Sequence, residues 1–225
     1  EHPSDRLLTM SKRTIRCQMV PTHPMTQALE RTCETFAAAC HAILAVAVEQ
    51  NVSNNVKLHH LVYAQIRANF GLSANLTVRA IRRVSAAMHA AKRRKRTPKQ
   101  FRPTSIDYDA RIFDYRETDE TVSLTTVAGR MHVPLLLATY QRDALRGKRP
   151  TSATVVRHGT RWDIHMVIED EDDPDREGPP LGVPELRIRV VGSAERGHDV
   201  ERLPGAQPAI HEDLEHVLGP LADRQ

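Results

Sequence analysis

The chain has 225 residues, a formal net charge of +4 and only 4% aromatic residues, so a core of one generous domain or two small ones is built from Leu, Val, Ile and Ala. Its most apolar stretch, Phe36 to Val48, is broken by Cys40 and His41 and reads as a buried helix face, not a membrane span. The net charge hides an asymmetry: residues 1–169 hold 26 Lys and Arg against 14 Asp and Glu (+12), while residues 170–225 hold 6 against 14 (−8). A basic body beside an acidic tail is the pattern of a polyanion binder with an unlike appendage.

Residues 1–11 read as a disordered leader, polar through Glu1–Thr9 and without the apolar region of a signal peptide. Lys12 to Val20 alternates, with Ile15, Cys17 and Met19 on one face, and predicts a strand ended by Pro21 to Pro24. Leu29, Cys33, Phe36, Cys40, Ile43, Leu44 and Ala47 then recur at helical steps. Leu58, Leu61, Val62, Ile66 and Phe70 repeat the pattern up to Gly71, a natural helix terminator. A third helix, capped by Ser73, places Thr77, Ala80, Ile81, Val84, Ala87, Met88 and Ala91 on its apolar face and is expected to turn Arg79, Arg82 and Arg83 outward. It runs into Lys92-Arg93-Arg94-Lys95-Arg96 and is expected to reach Arg96, stopping before Pro98.

Beyond Pro103 the period changes to two. Ser105–Tyr108, Arg111–Tyr115, Thr121–Thr126, Met131–Leu136, Ala153–Arg157 and Trp162–Ile168 read as short strands, with Gln141 to Arg149 a helical or loop crossing. From Glu169 the chain becomes an acidic, proline-bearing linker, with one further strand at Val183–Val191 and a short helix at Ile210–Leu218. The expected class is α+β, a small β-barrel with a three-helix subdomain inserted after its first strand. The barrel takes 12–22 and 98–169, the helices 23–97, and the acidic linker and tail 170–225.

The chemistry is that of cations. Lys92, Arg93, Arg94, Lys95 and Arg96, continued by Lys99 and Arg102 and joined by Arg79, Arg82 and Arg83, suit a phosphate backbone, whose neutralisation releases counterions. A solvated helix end is the competing reading. Arg142, Arg146, Lys148 and Arg149 form a second basic group, either an exposed loop or an RNA contact. Tyr63, Tyr140 and Trp162 are candidates for stacking on bases, although Trp162 shares strand spacing with Ile164 and Met166 and fits a core. Cys17, Cys33 and Cys40 form neither a disulfide framework nor a zinc set, and with the absent signal region they point to a reducing cytoplasm. The histidines lack metal-ligand spacing, and no phosphate loop or nucleophile motif occurs, so no cofactor, metal or catalytic residue is expected.

Several segments in order carry a family likeness: KRTIRCQMVPT, TFAAAC, VKLHHLVYAQIRANFGLSANLTVRAIRRV, RPTSIDYDARIF, TVSLTTVAGRMHVPL and ATVVRHGTRWDIHMVIE. Residues 12–169 resemble the N-terminal half of the TnpB family, transposon-borne RNA-guided nucleases related to type V CRISPR effectors. The resemblance implies an OB-like wedge barrel and a helical recognition insertion that grip a guide RNA and target DNA; no membrane partner is expected, since no run of eighteen apolar residues occurs. Where that family begins its RuvC nuclease with L-G-V-D-x-G, this chain reads Leu181-Gly182-Val183-Pro184-Glu185-Leu186, with Pro184 at the place of the metal-binding Asp. The resemblance therefore implies a binding body with a vestigial RuvC start and no nuclease activity. The alternative reading is a DNA-binding regulator that acts without RNA.

Overall fold

The structure is a computed structural model that describes residues 10–98 and 100–171. Glu1–Thr9, Lys99, Leu181–Leu186 with Pro184, and the elements expected at Val183–Val191 and Ile210–Leu218 lie outside the described residues.

The alternating stretch after the leader forms β1 (Met10–Met19), which starts earlier than its apolar pattern shows because Met10 and Ser11 pair with Glu171 and Asp170. Three helices follow. In α1 (His23–Glu49), Pro24 sits in the first turn, where a missing N–H breaks no helical bond. Its apolar stripe, Leu29 to Ala47, is buried as spaced, with Leu44 half-buried. By length and composition α1 resembles a membrane span, yet that stripe packs into the core with α2 and α3. In α2 (Asn55–Phe70), the Asn54 side chain accepts from the amides of Val56 and Lys57, and Leu58, Val62 and Ile66 are buried. Leu61, expected inside, is 45% exposed, because α2 packs only on its narrower face. In α3 (Ala74–Arg93), the Ser73 hydroxyl caps the Leu76 amide.

The helices end alike. Asn51 after α1 and Gly71 after α2 both take left-handed backbone, at φ 50° and 61°. Val52 then donates to the Ala47 carbonyl and Asn51 to that of Val48, which satisfies carbonyls a helix end leaves open.

The remaining strands are β2 (Ser105–Asp109), β3 (Phe113–Arg116), β4 (Thr121–Thr126), β5 (Gly129–Leu136), β6 (Ser152–His158) and β7 (Arg161–Glu171), with the short helix α4 (Thr139–Leu145) between β5 and β6. They form a seven-stranded sheet in the order β2-β6-β7-β1-β5-β4-β3, antiparallel and curled into a half-barrel. The class is α+β, as the change of period predicts. β1 and β7 pair over the whole of β1, whereas β1 meets β5 only at Gln18 and Met19.

Ile15, Cys17 and Met19 share the inner face with Val155, Trp162, Ile164 and Met166. Trp162 is 2% exposed, so the core reading of that residue holds. Helix α1 contacts both β2 and β4, and helical and sheet residues share one apolar cluster. Burial pushes the thiols of Cys17, Cys33 and Cys40 up to about 12, which leaves them as small apolar groups.

Gly71 is the glycine on which a helix end depends. No atom crowds the place of a Cβ there, so the cost of a side chain comes from its φ of +61° alone. Gly71→Ala is expected to lower stability by about 1 kcal/mol, seen as a lower urea midpoint at unchanged slope.

Candidate nucleic-acid interface

Between Glu49 and Asp107 the chain contains no carboxylate, while it holds Lys57, Arg67, Arg79, Arg82, Arg83, Lys92 to Arg96, Lys99 and Arg102. This acid-free run is a stronger sequence signal than the Lys92–Arg96 cluster alone, and it spans α2, α3 and the segment leading into β2. The structure divides its cations into two groups.

Arg79 and Arg83 are not turned outward, and the expectation that they face solvent is corrected. Arg79 donates to the Tyr108 carbonyl (2.7 Å). Arg83 bonds the Asp107 carboxylate through Nε (2.7 Å) and donates through Nη1 to the Ser105 carbonyl (2.9 Å) and hydroxyl (3.1 Å). Its guanidinium also lies 4.8 Å from the Phe36 ring centroid. Asp107 and its hydrogen bond hold the Arg83 pKa above its ordinary value against the opposing effect of burial. For Arg83 the reason is angular. At about 100° per residue, Arg83 sits roughly a quarter-turn from the buried stripe, near enough for a long arm to reach β2, whereas Arg82 lies nearly opposite and is exposed.

The second group stays in solvent. α3 ends at Arg93, short of the expected Arg96, because Lys95 takes left-handed backbone at φ 49°. Lys95 then donates to the Lys92 carbonyl (3.2 Å) and Arg96 to that of Ala91 (3.0 Å), the Schellman arrangement. Lys92, Arg93, Arg94, Lys95 and Arg96 are all exposed, and none forms an ion pair among the described residues. The following segment folds back on α1, where the Phe101 amide donates to His41 Nε2 (2.8 Å). A cleft of about 880 Å³ opens there, with Arg96, Arg102, His41, Gln100 and Phe101 in its lining. Sequence spacing gave no sign of His41 in this role, since its place depends on the chain reversal.

The second basic group is partly neutralised. Arg142 pairs with Glu120, and Arg146 with Asp143 at 2.9 Å. Lys148 has an interaction of its own, and Arg149 is exposed. Tyr63 stacks on His59 at 4.5 Å with Arg67 over its ring, while Tyr140 is 63% exposed.

One cluster escaped sequence reasoning altogether. Asp163 in β7 is fully buried, yet Arg16 reaches one carboxylate oxygen (2.6 Å), Arg161 the other (3.0 Å), and His158 lies at 3.9 Å. Burial raises the Asp163 pKa, but the hydrogen bonds and charges of Arg16 and Arg161 outweigh it, so the net direction is down. His165, opposite Arg16 in the register, is held below its ordinary value by burial and then by Arg16. Among the described residues no group of three or more His, Cys, Asp or Glu is placed to hold a metal ion.

Comparison with known protein families and with curated proteins finds no match to this chain.

Two outcomes follow from the ion pairs. The side chains of Arg83 and Asp107 are 17% and 28% exposed, so Arg83→Gln is expected to destabilise by about 2–3 kcal/mol, below the cost of a fully buried pair. Arg83→Met with Asp107→Leu should recover much of that loss, measured by a double-mutant cycle in urea. Because folding lowers the Asp163 pKa, its contribution is fully present above the unfolded value near pH 4 and disappears as pH falls through the folded one. Asp163→Asn should cost about 1–3 kcal/mol at neutral pH and flatten the acid limb of the stability profile.

Proposed function

We propose that the body of this chain binds nucleic acid through the C-terminal end of α3 and the adjoining cleft. One observation carries the reading: Lys92 to Arg96 stand exposed at the end of α3, and Arg96 and Arg102 line the adjoining cleft, in a stretch without carboxylates and with no ion pair among the described residues. Two unit charges about 4 Å apart repel by about 1 kcal/mol even in water. A phosphate backbone relieves that repulsion and releases counterions as it binds.

The finer reading rests on the family likeness. It takes the half-barrel as the wedge, in OB-like form, and α1 to α3 as the recognition insertion of a TnpB-like protein. The body then grips a guide RNA and target DNA and does not itself cut. The position of the three helices in the chain, between β1 and β2 of one sheet, supports the assignment. So does the match between the quoted segments and the observed elements. In this reading the protein is transposon-associated and works in the cytoplasm.

The purified protein is expected to carry RNA, identifiable by sequencing, and to bind matched DNA with that RNA. RNA-free protein that shifts duplex DNA would instead favour a regulator acting alone. Magnesium-dependent cleavage lost on mutating an acid of this chain would overturn the non-cutting reading.

The interface itself is tested by replacing Lys92, Arg93, Arg94, Lys95 and Arg96 with Gln. Affinity should fall roughly a hundredfold or more at low salt, and each lost phosphate contact should flatten the log–log salt slope by about 0.9 for duplex DNA or about 0.7 for a single strand. Stability should change by less than about 0.5 kcal/mol, since the replaced charges are exposed. Unchanged affinity at every salt concentration would make the cluster a solvated helix end.

A further inference from the structure

On the outer face of the half-barrel, apart from the cleft beside α3, lies a second cleft of about 500 Å³. Arg16, Gln18, Leu136, Tyr140, Gln141 and Arg161 line it. We propose that this cleft is a nucleotide site, in which Arg16 and Arg161 hold a phosphate and the Tyr140 ring stacks on the base. The proposal deepens the nucleic-acid reading and rests on it where the nucleotide belongs to a strand.

The two guanidiniums are fixed from behind. Asp163, fully buried beneath them, takes Arg16 on one oxygen and Arg161 on the other. Each arginine commits one nitrogen to that carboxylate and remains about half exposed, at 49% and 51%, so other N–H donors stay available to a ligand. Two arginines against one carboxylate leave a net positive charge, which suits one phosphate. Free arginine side chains lose about 2 kcal/mol of rotamer entropy when ordered; here the ion pairs have already ordered them.

The stacking side is also built. Gln141 donates from Nε2 to the Arg16 carbonyl and accepts from the Ala138 amide (2.7 Å) through Oε1. It is buried and ties the start of α4 to β1. Tyr140, its neighbour, is thereby held at the rim with 63% of its surface exposed, beside Leu136 at 61%. A large aromatic and an aliphatic side chain left in water next to paired arginines form a surface for a flat apolar ring that bears an anion. The volume falls within the range of small-ligand pockets. Two sources share this chemistry, a nucleotide of a single strand and a free mononucleotide. A duplex does not, because its bases are stacked on one another.

The test compares wild type, Tyr140→Ala, Tyr140→Phe and Arg161→Gln, with a short oligouridylate, a duplex DNA and uridine monophosphate as probes. Tyr140→Ala is expected to weaken oligouridylate binding about tenfold and leave duplex binding unchanged, with Tyr140→Phe restoring it. Arg161→Gln should flatten the single-strand salt slope by about 0.7. Thermal unfolding accompanies each variant, and Tyr140, being exposed, keeps the test independent of the Asp163 cluster. Tyr140-dependent binding of uridine monophosphate but of no strand would assign the site to the free nucleotide and remove the nucleic-acid reading alone. Strand binding that depends on Lys92 to Arg96 but not on Tyr140 would overturn this proposal alone. A wild-type protein that binds neither oligouridylate nor uridine monophosphate would also overturn it.

Discussion

Arg83 joins the helical part of the molecule to the sheet. Its guanidinium rests on Phe36 of α1, bonds Asp107 of β2 and donates to the Ser105 carbonyl. Asp107 in turn accepts from Thr154 of β6 (3.3 Å). One side chain thus connects α1, α3 and two strands. A charge taken this far from water is costly without a partner, and Nε and Nη1 of Arg83 are directed at acceptors that fit them. Strand β2 is an edge of the sheet, and an edge carbonyl met by an arginine is closed to another strand. The same contact sets where α3 lies and therefore where its basic end emerges.

A second set of pins holds α1 one to two turns before Phe36. Glu30 pairs with Arg157 of β6 at 2.6 Å, and Thr32 accepts the amide of Val127 in the β4–β5 turn (3.2 Å). α1 is therefore tied to both halves of a sheet whose own joint, β1 to β5, is short. The helices act as a brace across the half-barrel, which explains why one apolar cluster runs through both. The arginines so used contribute position. The cations left in water contribute a positive field at the surface.

The strands and helices were legible because their periods are clean. Ser73 and Gly71 sit where capping chemistry places them, and every predicted strand from Ser105 to Ile168 has a counterpart. What failed was the assignment of charge to solvent. Arg79 and Arg83 look like part of a basic face in one dimension, and only the approach of β2 shows that they are consumed by structure. Asp163 was missed for a related reason. Its partners come from β1 and from the β6–β7 hairpin, and the separation of Arg16 from Asp163 in sequence hides a contact of 2.6 Å. The exposure of the run Lys92 to Arg96 was legible, but its shape was not, because a lysine in left-handed backbone leaves no mark in composition.

That shape governs the field the cluster presents, and in the proposed function how it would meet a phosphate chain. A helix C-terminus carries about half a negative charge and by itself repels anions. Here five cations surround it, so the local field is strongly positive despite the dipole, and the first of them are favoured where they stand by that same dipole. Had the helix continued to Arg96, the five side chains would point around its whole circumference, some of them away from any one strand. The Schellman turn at Lys95 instead breaks the helical repeat after Arg93 and sends the chain back toward His41 and Phe101. Arg96 and Arg102 then border one cleft from the two ends of the reversed segment. In the proposed function, a backbone that follows this surface would have to bend around the helix end, which a single strand or an irregular RNA does at less cost than a straight duplex, whose persistence length is about 150 base pairs.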